Sequence, residues 1–207
     1  MEIQKLVVGG LAANCYLVID EETRTAAVID PGDEADRIAQ AVRAAGAELK
    51  DILLTHGHPD HAFAAGELQE HFHEAKVRMH EADLPLLAGE ADIVSLFYDA
   101  ERYVAPFIGR FVHPLDIVMV GKTGLTVLHT PGHSPGSVCY VSAKVAFTGD
   151  TLFAGGVGRT DLEGGSEEEM AQSLRRLLEL PGETVIYPGH GPSSTIGAER
   201  IGNPWLA

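Results

Sequence analysis

The N-terminal part of the chain alternates apolar runs with short polar turns. Two apolar runs, 14–20 and 26–30, flank a polar stretch, so the pattern predicts a β-hairpin. Further on, apolar residues recur at helical spacing between Asp33, a suitable N-cap, and Gly46, a suitable stop. Another apolar run at 52–54 then predicts a buried strand.

The middle of the chain carries longer stretches that lack strand alternation. Between residues 62 and 72, apolar side chains recur at helical spacing, which predicts a helix. Residues 83–112 are rich in apolar and aromatic side chains, and we expect one or two helices there. Most of these side chains should pack onto the core, while a minority should line one side of a pocket.

The second half of the chain repeats one local pattern. Apolar runs at 125–128, 144–147 and 184–186 each lead into a tight turn that contains glycine, a residue tolerant of unusual backbone angles. Each turn also carries a side chain that is able to bind a metal. These side chains are His133, Asp150 and His190.

Two further segments lie between the second and third of these runs. Residues 151–161 are too rich in glycine to predict regular structure. Ser166 and Glu169 form a capping-box pattern, and the apolar positions that follow them predict an amphipathic helix.

The composition describes one globular domain over residues 1–207, with 45% hydrophobic residues. The formal charge of −15, from 15 basic and 30 acidic residues, argues against nucleic-acid partners and against an anionic membrane surface. No apolar run reaches the roughly 18 residues of a membrane span, and residues 1–5 lack a signal-peptide pattern. Cys15 and Cys139 lie in separate apolar runs, so we expect two buried thiols and a cytoplasmic location.

Residues 55–61, which read Thr-His-Gly-His-Pro-Asp-His, hold the densest set of reactive side chains. Imidazole and carboxylate groups suit zinc, iron and manganese. This histidine motif follows the predicted strand at 52–54, and Pro59 cannot continue a strand because it has no N–H group. We therefore expect the motif on a turn at the carboxyl end of a strand, where open α/β sheets place their functional sites.

If the four strand ends share one edge, seven candidate ligands meet there. Five histidines and two aspartates exceed the needs of one tetrahedral zinc site and fit two metals that share a carboxylate. Such a pair activates water and polarises a carbonyl, which is the chemistry of hydrolysing an ester, thioester, amide or phosphodiester. The candidate ligands are His56, His58, Asp60, His61, His133, Asp150 and His190. The remaining histidines, His71, His73, His80, His113 and His129, are expected to be incidental.

The motif set resembles that of the metallo-β-lactamase superfamily, in particular the glyoxalase II-like hydrolases in their short form without a C-terminal helical domain. The resemblance rests on residues 56–61, 131–133, 149–150 and 188–190. It implies an α/β fold, a four-layer αββα sandwich with the metals at one edge. Carried over residue by residue, the first metal takes His56, His58 and His133, the second takes Asp60, His61 and His190, and Asp150 bridges them. Asp60 and Asp150 are then the catalytic carboxylates.

The predicted function is hydrolysis of a thioester, most simply S-lactoylglutathione, at a site that holds two divalent metal ions. Zinc is the first expectation, and iron or manganese suits the same ligands. We expect a small-molecule substrate and a monomer or homodimer. Arg159 is a candidate to bind a substrate carboxylate, although pairing with Asp161 or Glu163 as a structural arginine is an equal alternative. Full-length glyoxalase II grips glutathione with a lysine and a tyrosine near the positions of Arg159 and Asp161, so glutathione binding should be weak or altered.

Persulfide dioxygenases share the motif and have a Gly-x-Gly-Arg-Thr-Asp segment like residues 156–161. They use one iron held by the counterparts of His56, His133 and Asp150, so oxidation of glutathione persulfide is the alternative function. A metal-buffering protein without catalytic activity is a third possibility, which an open site with a bridging carboxylate disfavours.

Overall fold

The computed structural model describes residues 1–89 and 102–206, and its first six-stranded sheet forms from the first half of the chain. The strands lie in sequence order from one edge to the other. The first three are antiparallel, which confirms the predicted hairpin, and the next three join in parallel. They are β1 (Glu2–Val8), β2 (Ala13–Ile19), β3 (Thr25–Ile29), β4 (Glu48–Leu53), β5 (Lys76–Met79) and β6 (Ile108–Phe111).

The second six-stranded sheet forms from the second half of the chain. The later strands are β7 (Ile117–Val120), β8 (Thr123–His129), β9 (Val138–Val141), β10 (Val145–Gly149), β11 (Leu152–Phe153), β12 (Gly156–Val157), β13 (Val185–Pro188) and β14 (Ser194–Thr195). Within this sheet the order is β14-β13-β10-β9-β8-β7, and β11 and β12 form a separate hairpin. Because β10 and β13 pair in parallel, their carboxyl ends reach the same edge of the sheet.

Strand β2 shows how the two sheets pack together. Tyr16 and Val18 belong to the core between the sheets, whereas Leu17 and Ile19 belong to the core on the other face of the first sheet. Side chains alternate across a strand, so a strand that is buried on both faces is apolar at nearly every position. In β2 the single exception is Asn14, which is buried and polar. Between the sheets the ring of Tyr16 lies 5.4 Å from the ring of Phe147, which joins the two halves of the chain.

Helices cover the outer faces of both sheets, which gives the predicted four-layer αββα sandwich. Helices α1 and α3 pack on the first sheet, and α5 and α6 pack on the second. The helices are α1 (Ala35–Ala44), α2 (Pro59–Ala62), α3 (Ala65–His71), α4 (Leu84–Gly89), α5 (Glu167–Leu177) and α6 (Ile196–Gly202). Within the two described ranges, every helix is too short or too polar to cross a membrane.

The helix ends agree with the prediction in two cases and correct it in two. Gly46 ends α1 as predicted, since it follows the C-cap residue in a left-handed conformation with a φ of 59°. Ser166 caps α5, since its hydroxyl oxygen accepts the backbone N–H of Glu169 at 3.2 Å. Asp33 does not cap α1, because Glu34 takes the N-cap position in a left-handed conformation with a φ of 58°. The helix predicted for 62–72 is divided into α2 and α3.

Two segments contain strands that the sequence pattern did not indicate. In the segment 83–112, α4 is helical as expected, but β6 is a strand, and residues 90–101 lie outside the described residues. Strand β6 has only four residues, and its two central residues, Gly109 and Arg110, are exposed, so it shows no clear alternation. The glycine-rich segment 151–161 includes the β11–β12 hairpin, whose turn uses Gly155 at a φ of 73°.

Candidate metal centre

All seven candidate ligands lie together at one edge of the sandwich. The histidine motif leaves the carboxyl end of β4, and Pro59 starts α2 in the first helical turn, a position that proline favours. The other ligands follow strands of the second sheet: His133 comes after β8, Asp150 after β10 and His190 after β13. The strand ends of both sheets therefore supply the site.

One group consists of three buried histidines. The ligand atoms of His56, His58 and His133 all lie within 4.8 Å of one another. The closest pair is His58 Nδ1 and His133 Nε2, which are 2.8 Å apart. Because His56 and His58 come from the first sheet and His133 from the second, this group spans the two halves of the chain.

A second group combines one carboxylate with two histidines. Asp60 Oδ2 lies 3.1 Å from His190 Nε2 and 3.5 Å from His61 Nε2, and the two ring nitrogens are 3.3 Å apart. Again the first sheet supplies two members and the second sheet supplies one, His190. The three atoms therefore face a common point.

Asp150 lies between the two groups. Its Oδ1 atom is 3.4 Å from His61 Nε2, in the second group. Its Oδ2 atom is 3.7 Å from His133 Nε2, in the first group, and 3.7 Å from His190 Nε2. This placement suits a carboxylate that is shared by two metals.

Hydrogen bonds on the far side of the rings orient the ligand nitrogens. Thr55 donates its hydroxyl proton to Asp30 Oδ2 at 2.7 Å, so its oxygen accepts the Nδ1 proton of His56 at 3.0 Å. Asp30 Oδ2 also accepts the Nδ1 proton of His61 at 3.2 Å. The backbone oxygen of Arg159 does the same for His133 at 2.8 Å. In the neutral form of all three rings, Nε2 therefore carries the lone pair, which points into the site.

Sequence reasoning did not identify Asp30 or Thr55. Asp30 is 1% exposed and ends the apolar run before Pro31, so an acidic residue at the end of a buried strand was the available signal. Its carboxylate also lies within 4.8 Å of ligand atoms on His56 and His61. Because Asp30 faces the Nδ1 edge of His61, it orients the ring instead of completing the second group.

The residues present fit divalent metals. Buried atoms without a hydrogen-bond partner in the described ranges include His56 Nε2 and Asp150 Oδ1, both of which face the two groups. An unpartnered buried polar atom is costly, and a metal ion would satisfy it. Imidazole nitrogen and carboxylate oxygen are the donors that zinc, iron and manganese accept.

The pKa values of the histidines in the metal-free site also indicate that the site suits a cation. Burial and the neighbouring histidines lower the pKa of His56 well below its ordinary value, and burial together with His133 lowers the pKa of His58 to about 3. Although burial opposes it, the carboxylates of Asp60, Asp150 and Asp30 raise the pKa of His61 to about 10. Protonation of His61 thus offsets negative charge that a metal would otherwise balance.

Arg159 is paired with Asp161 in the structure. Its Nε and one terminal nitrogen donate to the two carboxylate oxygens at 2.7 and 2.8 Å. This bond raises the pKa of Arg159 and holds the pKa of Asp161 at about 2. Both side chains are largely exposed, at 62% and 68%. The pair matches the structural alternative, while the backbone of Arg159 contributes to the site through His133.

Three of the histidines expected to be incidental, and both cysteines, belong to neither ligand group. His80 stacks on His129 with ring centres 4.5 Å apart, and His71 pairs with the exposed Asp36. Cys15 and Cys139 are both buried and free, as predicted. Burial raises the pKa of the Cys139 thiol to about 12, so it stays protonated at neutral pH.

The chain is similar to known proteins along its whole length. A family described as the metallo-beta-lactamase superfamily matches residues 8–190. A relative from Haemophilus influenzae named hydroxyacylglutathione hydrolase GloC is 39% identical and covers 100% of this chain and 98% of the relative. The crystal structure of TTHA1623 in a di-iron-bound form is 38% identical with a TM-score of 0.85, covering 98% of this chain and 100% of that one. The structure of ETHE1 from Myxococcus xanthus is 32% identical with a TM-score of 0.82, covering 99% and 84%.

Proposed function

The chain belongs to the metallo-beta-lactamase superfamily, and we propose that it is a metal-dependent hydrolase that cleaves a thioester such as S-lactoylglutathione. The observation that carries the proposal is the pair of ligand groups with Asp150 between them. A relative named as a hydroxyacylglutathione hydrolase supports the same reaction class. The small molecule would bind at the edge where the strand ends meet.

The proposed ligands follow the two groups seen in the structure. The first ion would be held by His56, His58 and His133, the second by Asp60, His61 and His190, and Asp150 would contact both. We propose zinc, with iron or manganese as alternatives, and the di-iron form of a similar protein supports a site for two ions. We further propose a cytoplasmic protein that acts as a monomer or homodimer.

When bound, two such ions lower the pKa of water and polarise a carbonyl group. The chain contributes the orientation of the ligands. Thr55 and Asp30 hold a proton on Nδ1 of His56 and of His61, so Nε2 is the nitrogen that would bind a metal at each ring. His61 would release its additional proton as a metal binds. Asp60 and Asp150 are the proposed catalytic carboxylates, since both face the common space between the two groups.

Arg159 remains the proposed contact for a substrate carboxylate. Asp161 occupies Nε and one terminal nitrogen of the guanidinium, which leaves the N–H groups of the other terminal nitrogen free to donate. The pair therefore fixes the plane of the guanidinium without using all of its donors. A local cation is valuable here because the chain carries a formal charge of −15.

Oxidation of a persulfide by O₂ at a site with a single iron remains the second candidate function. Its support is the likeness to ETHE1 together with the closeness of His56, His133 and Asp150, the three residues that such a site would use. This alternative needs no ligand role for His190. The two functions therefore differ in their need for the second group.

His190→Ala separates the two functions. Thioester hydrolysis, assayed anaerobically with S-lactoylglutathione, should be abolished, whereas oxygen uptake with glutathione persulfide should be spared if that is the true reaction. His71→Ala, which removes a partly exposed histidine that belongs to neither ligand group, is the matched control. Fast oxygen uptake in both variants with negligible thioester cleavage in the wild type would overturn the proposed function.

Metal analysis tests the ligand assignment independently of activity. Asp150→Ala should lower occupancy at both positions, because Asp150 alone faces both groups. His190→Ala should empty mainly the second position. Two full equivalents of metal in the Asp150 variant would contradict the bridging role.

A further inference from the structure

Asp83 is a buried carboxylate that joins the two chain segments supplying the first ligand group. It ends a short 3₁₀ turn after β5 and is 0% exposed. Its Oδ2 atom accepts the backbone N–H of Gly57 at 2.9 Å and the hydroxyl of Ser134 at 2.7 Å. Its Oδ1 atom accepts the backbone N–H of Gly136 at 2.5 Å.

The positions of these donors relate Asp83 to the candidate site. Gly57 stands between His56 and His58, and Ser134 directly follows His133. A single side chain therefore holds the histidine motif of the first sheet against the turn that carries the histidine of the second sheet. The hydrogen bonds that the structure describes for Asp83 go to these backbone and hydroxyl groups and not to the three rings.

The Asp83 carboxylate packs tightly against Gly136, and the Ser134 hydroxyl that donates to it is itself held in place. A Cβ atom at Gly136 would lie 2.6 Å from the Asp83 carboxyl carbon, so only glycine allows this approach. The hydroxyl of Ser134 is in turn placed by Ser137, whose Oγ lies 2.6 Å away. Among the described residues no lysine or arginine pairs with Asp83, so three uncharged donors satisfy its carboxylate.

We propose that Asp83 is a positioning residue that sets the spacing of His56, His58 and His133 by fixing the backbones on which they stand. This role differs from that of Asp30, which orients rings in both groups. Within the described ranges, the hydrogen bonds of Asp83 reach none of the residues of the second group, so we expect its effect on the first group alone. The inference rests on the proposed ligand sets, and the titration of the wild type tests those separately.

Asp83→Asn releases one of the two segments whichever way the amide is turned. Its NH₂ group meets either the N–H of Gly57 or the N–H of Gly136, and that backbone donor then loses its acceptor. Loss of a group that supports metal ligands typically weakens binding about 10- to 100-fold. We expect a loss of this size at the first group alone.

Cobalt(II) titration of the metal-free protein in two backgrounds tests the proposal. In His190→Ala only the first group is complete, and there Asp83→Asn should weaken Co²⁺ binding about 10- to 100-fold. In His133→Ala only the second group is complete, and Asp83→Asn should change its affinity less than about 2-fold. Wild type should bind two equivalents, and failure to do so would count against the ligand sets instead of against Asp83.

Glu199→Gln is the matched control. Glu199 is also a buried carboxylate with three donors, from Gly155, Ser194 and Asn203, but it lies in α6. The Glu199→Gln substitution should lower the melting temperature without weakening Co²⁺ binding in one background more than in the other. Equal weakening in both backgrounds, or lowered stability with unchanged affinity of the first group, would show that Asp83 is merely structural.

Ser134→Ala tests the same proposal if the Asp83→Asn variant does not fold. It removes one of three donors and should weaken Co²⁺ binding about 2- to 12-fold, again only in the His190→Ala background. Unchanged affinity in that background would overturn the proposal.

Discussion

Replacing Asp30 by asparagine should weaken both proposed metal positions at once. Its Oδ1 atom accepts the backbone N–H of Thr55 at 2.7 Å, and its Oδ2 atom accepts protons from the Thr55 hydroxyl and from His61 Nδ1. The Thr55 hydroxyl oxygen in turn accepts the proton of His56 Nδ1. One carboxylate thus sets the tautomer of a ligand in each group.

An amide cannot reproduce this arrangement. If its NH₂ group takes the place of Oδ2, it donates to Thr55 and to His61 Nδ1, and the released hydroxyl proton turns towards His56 Nδ1. Both rings then carry their proton on Nε2, where the metal should bind. If the NH₂ group takes the place of Oδ1 instead, the buried N–H of Thr55 loses its acceptor.

The two orientations set the size of the effect. Leaving a buried group unsatisfied costs about 1–3 kcal/mol. In the first orientation, each histidine must move its proton back to Nδ1 before it can bind a metal, and the amide N–H or hydroxyl that faces Nδ1 then has no acceptor. At about 1–3 kcal/mol for each ring, this cost corresponds to about 5- to 150-fold weaker metal binding. In the second orientation the same cost falls on stability, about 2–12 °C in melting temperature for a protein of this size.

Competition of Zn²⁺ between the metal-free protein and a chromophoric chelator measures both affinities. Asp30→Asn should weaken both steps of the titration, which distinguishes it from Asp83→Asn, where only one step weakens. Glu199→Gln again controls for loss of a buried carboxylate. Wild-type affinity at both steps in Asp30→Asn, with a stability loss like that of the control, would refute the tautomer argument.

Three further changes have definite expected outcomes. Gly189→Ala should remove most bound metal, because its methyl group would lie 2.1 Å from Asp150 Oδ1 and 2.6 Å from His61 Cε1; full metal content would contradict this. Arg159→Ala should raise KM more than it lowers kcat at nearly unchanged melting temperature, since its ion pair is exposed; unchanged KM with a lower melting temperature would favour a structural role. In the metal-free protein the pKa of His58 lies at about 3 and that of His61 at about 10, against about 6.5 when unfolded. Below about pH 6.5 His58 binds a proton in the unfolded state but not in the folded state, so the free energy of unfolding should rise with pH up to about 6.5. Above that pH His61 keeps its proton only in the folded state, so the free energy of unfolding should fall as the pH approaches about 10. A flat denaturant-melt profile across this range would refute the assignment.

The sequence predicted the features that depend on neighbouring residues. The hairpin of β2 and β3 and the helix capped by Ser166 both follow from local patterns, and the structure confirms them. The four strand ends were visible because each one combines an apolar run with a glycine or proline turn. The αββα layers came from the resemblance of those turns to a family.

The features that the sequence did not reveal depend on contacts between distant segments. Asp83 meets Gly57 and Ser134, which are 26 and 51 residues away along the chain, and nothing in its local sequence marks it. Strand β6 exists because β5 offers it an edge, not because its own four residues alternate. Asp33 lost the capping position because Glu34 adopts the left-handed conformation beside it.

Both ligand groups draw members from the two sheets, and this has a consequence for folding. The first sheet is made from the first half of the chain and the second sheet from the second half. Ions bound as proposed would therefore add a tie between two halves that also meet through the core and through hydrogen bonds such as those of Asp83. Ligands that bind the native state alone stabilise it by about 2.7 kcal/mol at a free concentration 100 times Kd. Chelation would then loosen the junction between the halves first, and the metal supply in the cell would help to set the lifetime of the folded chain.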